Sequence, residues 1–265
     1  MNDFYIYRHA WRYKHAPDHE PELSDNQCKE LLRSGGWMVR NTYNFDQIEK
    51  TDYWYVIKDS FGGMEELSSN VRRKVRRALK SFEYILIGEQ AVRDYGFPIM
   101  IATVHDDRVK DRAMDESVFN EYINGCHKNQ HDFWGIYNKG TKELIGFCDI
   151  RLWDNSCEYG EIAIWPKYKH NATYPYYGLF YKINEYYLGE KKLQYINNSA
   201  RTVTDHSNIQ PFLEHNFKFR KAYCCLKLRY KWWFGIIVRL LYPFKEVIPS
   251  VNVKGVLRMH SFRTR

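Results

Sequence analysis

The spacing of apolar residues along the chain changes between a helical and an extended period. Within residues 65–81 an apolar residue recurs every four positions, at Leu67, Val71, Val75 and Leu79. This spacing predicts a helix with one apolar face. Within residues 219–232 apolar and cationic residues alternate, which predicts a half-buried strand. Further strands are predicted at 37–43, 53–58, 84–88, 131–137, 144–153, 157–165 and 193–199, and further helices at 28–33, 89–95, 116–127, 174–188 and 208–216.

The predicted helix at 65–81 is strongly basic. Six cations and no acidic residue lie within residues 71–80, namely Arg72, Arg73, Lys74, Arg76, Arg77 and Lys80. A hydroxyl at Ser68 or Ser69 can accept a first-turn N–H and so cap the helix. A solvated amphipathic face is one interpretation of the cations. Arginines at this density also suit bidentate contact with phosphate or carboxylate groups.

The segment 232–244 is apolar, with Arg239 as its one charged residue. It is interpreted either as the last strand running into a buried segment or as a patch that lies on a membrane surface. No apolar run approaches the roughly 20 residues that span a bilayer. The sequence therefore predicts no transmembrane helix.

Composition favours a globular protein of a reducing compartment. The 265 residues are 44% hydrophobic and 17% aromatic, and the formal net charge is +8. The six cysteines form no C-x-x-C pair and no metal-ligand spacing with histidine, so neither a disulfide framework nor a metal site is expected. Residues 1–15 lack the apolar run of a signal peptide. We therefore expect a cytoplasmic protein that associates with the membrane surface through its basic and apolar segments.

The order of the predicted elements resembles that of the GNAT acyltransferase superfamily. A strand hairpin precedes a strand that ends at Pro166, and a helix, a strand, a short helix and a terminal strand follow. The segment N-I-Q-P-F-L-E-H-N-F at 208–217 resembles the superfamily's entry into the terminal strand, with Asn216 in place of glycine. The resemblance implies an α/β fold with a mixed, mainly antiparallel sheet flanked by helices at 83–233. An N-terminal α+β extension at 1–82 and an apolar, basic C-terminal segment at 234–265 would complete the chain.

A second resemblance lies in the basic helix. Its sequence, L-S-S-N-V-R-R-K-V-R-R-A-L-K, is similar to the S-x-x-R-x-x-I-R-K-A segment of Fem-type peptidyltransferases, which are GNAT-like enzymes that add amino acids to peptidoglycan precursors. Those enzymes usually have two such domains, whereas this chain has room for one complete copy and a partial one. We expect an anionic acceptor, such as a lipid-linked diphosphate, to bind the cations Arg72, Arg73, Arg76 and Arg77.

The GNAT resemblance also implies where an acyl donor binds. In that superfamily the strand equivalent to 157–165 separates from its neighbour, and the pantetheine arm lies along the exposed backbone. The pyrophosphate then lies at the start of the next helix. The residues expected to bind acetyl-CoA are Ile162, Ala163, Ile164, Lys167, Lys169, Asn171, Ala172 and Asn208. Alternatively, Lys167, Lys169 and His170 belong to a solvated loop, because alanine and tyrosine stand at 172 and 174, where the superfamily has small flexible residues.

A carboxylate beside the separated strand would act as the general base on an amine acceptor. Glu161 and Glu158 are the candidates, with Glu161 favoured, and strand alternation predicts that they face opposite sides of the sheet. Phe212 stands where the superfamily has a tyrosine acid, so Tyr223 or Tyr176 would have to replace it.

No serine or cysteine has a recognisable nucleophile setting, which favours direct transfer without an acyl-enzyme. Asp205 and His206 are interpreted as a helix-capping pair.

Three functions are consistent with these patterns. The first is an N-acyltransferase that moves an acyl group from acetyl-CoA to an amine of an envelope precursor, of peptidoglycan or polysaccharide, at the inner membrane surface. The second uses aminoacyl-tRNA as the donor, because an RNA donor needs less of the pyrophosphate loop and more of the basic face. The third is a catalytically silent module that binds phosphorylated glycan or nucleic acid.

Overall fold

The computed structural model describes residues 2–106, 114–169, 171–203 and 208–264. The strands are β1 Phe4–Tyr7, β2 Ala10–Tyr13, β3 Met38–Gln47, β4 Tyr53–Lys58, β5 Phe82–Ile87, β6 His131–Asn138, β7 Leu144–Leu152, β8 Ser156–Ile164, β9 Tyr195–Ala200 and β10 Arg220–Tyr230. The α-helices are α1 Asp25–Ser34, α2 Ser69–Ser81, α3 Glu89–Asp106, α4 Glu116–Lys128, α5 Pro166–Lys169, α6 Pro175–Asn184, α7 Ile209–Phe217, α8 Trp232–Leu241 and α9 Val251–Ser261. A π-helical turn, Glu185–Glu190, extends α6.

The basic helix forms where its apolar period predicts it, although it starts later. Ser68 is the N-cap, and its hydroxyl accepts the N–H of Val71. Residues 65–66 belong instead to a preceding 3-10 turn, Gly63–Glu66. Along α2 the buried residues are Val71, Val75 and Ala78, which fall on one face. Val71 and Val75, two of the regularly spaced apolar residues of the sequence, are therefore on the buried face of α2.

Two sequence-based expectations about the elements are wrong. Helix α3 does not end at residue 95 but continues through Pro98 to Asp106. Its second half stays helical because Ile99 and Met100 are buried in the core, which compensates for the hydrogen bond that proline removes. The segment 232–244 is neither strand nor buried segment, because helix α8 begins directly after β10 and only Val238 of its ten residues is buried.

The chain divides into two compact units. The first comprises residues 1–56, 199–210 and 220–265, and the second comprises 57–198 and 211–219. The unit boundaries fall inside β4, β9 and α7. The predicted boundaries at 82 and 233 rest on sequence resemblance and stay a prediction.

The second unit carries the strand order β9-β8-β7-β6-β5. Adjacent strands from β5 to β8 are antiparallel, and β8 pairs with β9 in parallel. Helices α3 and α4 cover one face, where Phe119, Phe133 and Phe147 are buried together. On the other face Trp134 contacts the rings of the π-helical turn that extends α6. The predicted class, a mixed and mainly antiparallel sheet flanked by helices, is confirmed.

The first unit carries the strand order β1-β2-β3-β10-β4. Strands β1 and β2 form an antiparallel hairpin, β2 pairs with β3 in parallel, and β3 pairs with β10 in antiparallel fashion. Helix α1 buries Cys28, Leu31 and Leu32 against Val39 of β3. Within the described residues, none of the helices combines the length and the apolar character needed to cross a membrane.

Candidate active site

Strand β8 carries a β-bulge at the position of the predicted catalytic strand. In the ladder with β7, Tyr159 is opposite Ile150 and Ile162 is opposite Cys148. Two residues of β8, Gly160 and Glu161, therefore lie opposite the single residue Asp149. Such an extra residue bends a strand and redirects its side chains, and bulges are frequent beside active sites.

The carboxylate of Asp149 fills the space inside this bulge. It is 1% exposed, and its Oδ1 accepts the backbone N–H of Glu161 at 2.7 Å. The same oxygen accepts the hydroxyl of Tyr122 from α4. Its Oδ2 is 2.6 Å from Nδ1 of His131, the first residue of β6. A Cβ built on Gly160 would lie 2.0 Å from Oδ2, so the arrangement requires glycine at this position.

The contact between Asp149 and His131 fixes the role of the imidazole. Because a carboxylate only accepts hydrogen bonds, Nδ1 of His131 is the donor in this contact. The imidazole side chain is 13% exposed, so a small reacting group can reach it. An aspartate that orients a histidine in this way is a recurring feature of acid–base sites.

Burial keeps the other groups of this cluster protonated. Burial, and after it the charge of Asp149, raises the pKa of Tyr122 well above its usual value. The same causes raise the pKa of the Cys126 thiol to about 12. Ligand-type atoms of Cys126, His131 and Asp149 lie within 4.8 Å of one another. A metal ion there would require loss of the thiol proton and of hydrogen bonds to Asp149, so the cluster fits proton transfer better than metal binding.

The pairing of β8 with β9 ends just before the bulge. Their parallel pairing covers Ser156, Cys157 and Glu158 of β8 and ends at Glu158. On the β7 side, the N–H of Trp165 binds the carbonyl of Ile145 at 3.0 Å. Because antiparallel hydrogen-bonded pairs alternate, the N–H and C=O of Ile162 point away from β7, toward the edge of β8 whose first residues pair with β9.

The outward backbone groups of Ile164 already have a partner. Its N–H donates to Oγ1 of Thr103 at 3.1 Å, and its carbonyl accepts the hydroxyl of the same residue at 3.1 Å. An extended arm lying along β8 therefore meets Ile162 directly and reaches Ile164 only by displacing Thr103. Ala163, whose backbone faces β7, contributes its side chain to the core.

The bulge also changes where the two candidate glutamates point. Glu158 is opposite Arg151, and Glu161 is opposite Asp149. Asp149 and Arg151 are two residues apart in β7, so their side chains lie on the same face. The prediction that Glu158 and Glu161 face opposite sides is wrong. The extra residue of the bulge shifts the side-chain alternation by one position, so both glutamates lie on the same face of the sheet. The charge of Glu161 contributes to the raised pKa values of Tyr122 and Cys126, which is consistent with a place beside this cluster.

The residues expected to hold a pyrophosphate have partners of their own. Lys167 lies 3.3 Å from Glu143, and Lys169 lies 3.1 Å from Asp106. Asn171 accepts the N–H of Thr173 and donates to the carbonyl of Lys167. Ala172 is exposed in the same loop.

The start of α6 differs from an open anion site. Tyr174, the N-cap residue, has φ +57°, which is left-handed backbone, and it makes no side-chain cap. Pro175 contributes no N–H, and its carbonyl accepts the hydroxyl of Tyr84 at 3.0 Å. Lys74 of α2 lies 3.0 Å from the hydroxyl of Tyr177. A cation of the basic helix thus stands beside the first turn of α6.

The four arginines expected to bind an acceptor differ in their surroundings. Arg73, Arg76 and Arg77 are exposed on α2, and Arg73 also contacts Asn70. Arg72 is half-buried and lies 3.2 Å from Glu65 of the preceding turn. The helix therefore presents a cationic face, one of whose charges is paired.

Other predicted residues lie outside this cluster. Tyr223 and Asn208 belong to the first unit, where the Tyr223 ring packs against Trp54 with ring centres 6.1 Å apart. Tyr176 stacks on Phe180 in the second unit. His170, Asp205 and His206 lie outside the described residues.

The sequence-based interpretation missed Asp149, His131 and Tyr122. One signal was available, because Asp149 is an isolated acid in an apolar strand and Gly160 is an isolated glycine in the next one. A buried acid and a strand glycine together indicate a bulge or a functional site. The partnership with His131 and Tyr122 depends on strand register and helix placement, which no local pattern contains.

Comparison of sequences finds no family profile and no curated protein that matches this chain. Comparison of structures does find matches. The fold resembles that of FemX. The FemX crystal structure has a TM-score of 0.51 at 10% identity, over 77% of this chain and 68% of that chain. L-PGS from Bacillus licheniformis has a TM-score of 0.50 at 9% identity, over 99% of this chain and 85% of that chain.

A further match at a lower TM-score is an acetyltransferase. PaiA N-acetyltransferase from Thermoplasma acidophilum, solved with coenzyme A, has a TM-score of 0.33 at 14% identity, over 43% of this chain and 75% of that chain. At such low identities likeness establishes the fold alone. The chain therefore has a fold similar to those of FemX and L-PGS, which agrees with the Fem-type resemblance of its sequence.

Proposed function

We propose that the protein transfers an acyl or aminoacyl group to an amine acceptor at the bulge of β8. The observation that carries the proposal is the end of the β8–β9 pairing at Glu158, directly beside the Asp149 cluster. An extended acyl arm can lie against the outward backbone of Ile162, as an added strand does. The acyl carbon then lies near the residues that can move a proton.

The chemistry requires one proton acceptor and one hydrogen-bond donor. The acceptor amine attacks the acyl carbonyl, a C–N bond forms, and the C–S bond of a thioester or the C–O bond of an aminoacyl ester breaks. Glu161 takes the amine proton, and the leaving thiolate or alkoxide is protonated from solvent. The outward N–H of Ile162 is suited to stabilise the oxyanion of the tetrahedral intermediate. Asp149 and His131 hold the bulge in shape.

Two donors remain candidates, each favoured by a different observation. The outward N–H and C=O of Ile162 favour the pantetheine arm of acetyl-CoA. The paired lysines, the left-handed Tyr174 and the exposed arginines of α2 favour a polyanionic donor such as aminoacyl-tRNA, which depends less on a pyrophosphate loop. With acetyl-CoA as the donor, Arg73, Arg76 and Arg77 would instead bind the acceptor, an amine on an anionic envelope precursor, sugar or peptide.

The donor can be identified by thermal shift with acetyl-CoA, free CoA, aminoacyl-tRNA and deacylated tRNA. A ligand that binds only the folded state stabilises it by about 2.7 kcal/mol at 100 times its Kd. A higher melting temperature with acetyl-CoA and with free CoA identifies acetyl-CoA as the donor. A larger increase with aminoacyl-tRNA than with deacylated tRNA identifies aminoacyl-tRNA as the donor. If none of the four raises the melting temperature, the proposal of group transfer is wrong and a silent binding module gains support.

Turnover with the identified donor then tests the assigned base. We expect Glu161→Gln to lower kcat about 100-fold to 10,000-fold, which is typical for loss of a general base. His131→Gln should lower it less, because the imidazole acts through Asp149. Glu158→Gln is the matched control on the same face. If Glu161→Gln keeps full activity and His131→Gln loses most of it, the base is the imidazole of His131 and not Glu161.

A further inference from the structure

The exposed face of helix α8 is the least explained surface of the first unit. Large apolar side chains normally avoid water, yet six lie on or beside this helix with substantial exposure: Trp37 39%, Trp232 80%, Ile236 48%, Ile237 43%, Leu240 66% and Phe244 58%. We call these six residues the α8 surface. Contiguous apolar patches on a soluble domain usually mark a site of contact with another molecule.

The α8 surface is a defined face and not a set of scattered residues. Trp232, Ile236 and Leu240 recur every four positions and therefore form one stripe along the helix. Val238, on the opposite side, is buried and anchors the helix in the unit. At the start of the helix, Trp37 extends the face, with its ring centre 5.5 Å from that of Trp233.

The charged residues within 231–245 have one sign, and the exposed acid Glu246 follows them. Lys231, Arg239 and Lys245 are the charged residues from 231 to 245, and no acidic residue lies among them. Arg239 is exposed on α8 itself. Long cationic side chains beside apolar ones can keep their charge at the phosphate level while their stems lie along the hydrocarbon. The same cations would repel each other across a two-fold contact between copies of this chain, because such a contact brings each patch against itself.

From this arrangement, we propose that α8 lies in the surface of a bilayer that contains anionic phospholipid. The helix has ten residues and extends about 15 Å, half the thickness of a hydrocarbon core, so it fits the plane of the interface. Trp232 lies at the start of the helix, and tryptophan rings prefer the level of the lipid headgroups. The inference is independent of the transfer reaction proposed above, since it concerns binding alone.

The test is co-sedimentation of the full chain with two kinds of vesicle, phosphatidylcholine alone and phosphatidylcholine mixed with phosphatidylglycerol. We expect binding to the anionic vesicles that weakens at high salt. Ile236→Ser with Leu240→Ser should lower the partition coefficient roughly tenfold or more, because both apolar contacts are lost. Arg239→Gln should lower it about fivefold.

Matched controls come from the same unit. Ile48→Ser removes an isoleucine that is 100% exposed but lies away from α8, and Arg33→Gln removes an exposed cation at the end of α1. Both should bind as the wild type does, and circular dichroism melting checks that every variant is folded. Absence of binding to anionic vesicles, equal binding by the α8 variants, or a concentration-dependent dimer that the double serine variant abolishes would each overturn the proposal.

Discussion

A single glycine and a single aspartate determine the geometry of the candidate site. Any side chain at position 160 would collide with the carboxylate of Asp149, since even a Cβ lies 2.0 Å from Oδ2. That carboxylate in turn holds the N–H of Glu161 and the ring of His131. A buried acid with three hydrogen-bond partners is stable only while all three remain in place.

Gly160→Ala is therefore expected to damage both stability and function. Displacement of Asp149 should lower the free energy of unfolding by about 1–3 kcal/mol, as overpacking does, and should abolish transfer. Gly125→Ala is the matched control, because a Cβ at Gly125 in α4 meets no atom within 4 Å. That change should raise the free energy of unfolding by about 0.5–1 kcal/mol. Urea titration of both variants checks this, and an unaffected Gly160→Ala protein would show that the bulge is not tightly packed.

Among the helices, α2 combines a structural and a functional face. Its apolar side, with Val71, Val75 and Ala78 buried, was evident from the sequence period. Its other side leaves Arg73, Arg76 and Arg77 exposed, while Lys74 reaches the first turn of α6. Exposed arginines contribute little to stability, so their charge can be reversed without loss of the fold.

The double variant Arg73→Glu, Arg77→Glu tests the binding role of α2. If acetyl-CoA is the donor, we expect at least about a tenfold loss of affinity for the anionic acceptor, because two charged contacts are lost, and unchanged binding of acetyl-CoA. The control is Lys142→Glu with Lys192→Glu, which changes the net charge equally at two exposed positions of the same unit. Equal losses in the two variants, measured by titration calorimetry, would mean that net charge and not α2 attracts the ligand.

Across the whole molecule, the sequence predicted the elements better than the site. The strand and helix periods located most of the described elements but not β1, β2, α5, α8 or α9. The pairing of β8 with β9 ends at Glu158, on the strand that the sequence resemblance expected to separate from its neighbour. Local sequence patterns do not determine the register in which neighbouring strands pair. The bulge at Gly160 reversed the expected orientation of Glu161 relative to Glu158, and it brought Asp149 together with His131 and Tyr122, which lie 18 and 27 positions away. Helix α8 was mistaken for a strand end because an apolar run alone does not distinguish the two.

The most direct measurement is amide hydrogen exchange along β8, followed by mass spectrometry with and without the donor identified by thermal shift. An arm that pairs with the outward backbone of Ile162 should slow exchange in the peptide covering 159–165. Exchange across α8 should stay unchanged, since its proposed partner is a lipid surface. Protection of residues 159–165 on donor binding is the predicted result. Donor binding that leaves this peptide unprotected and protects another segment would contradict acyl transfer at the bulge.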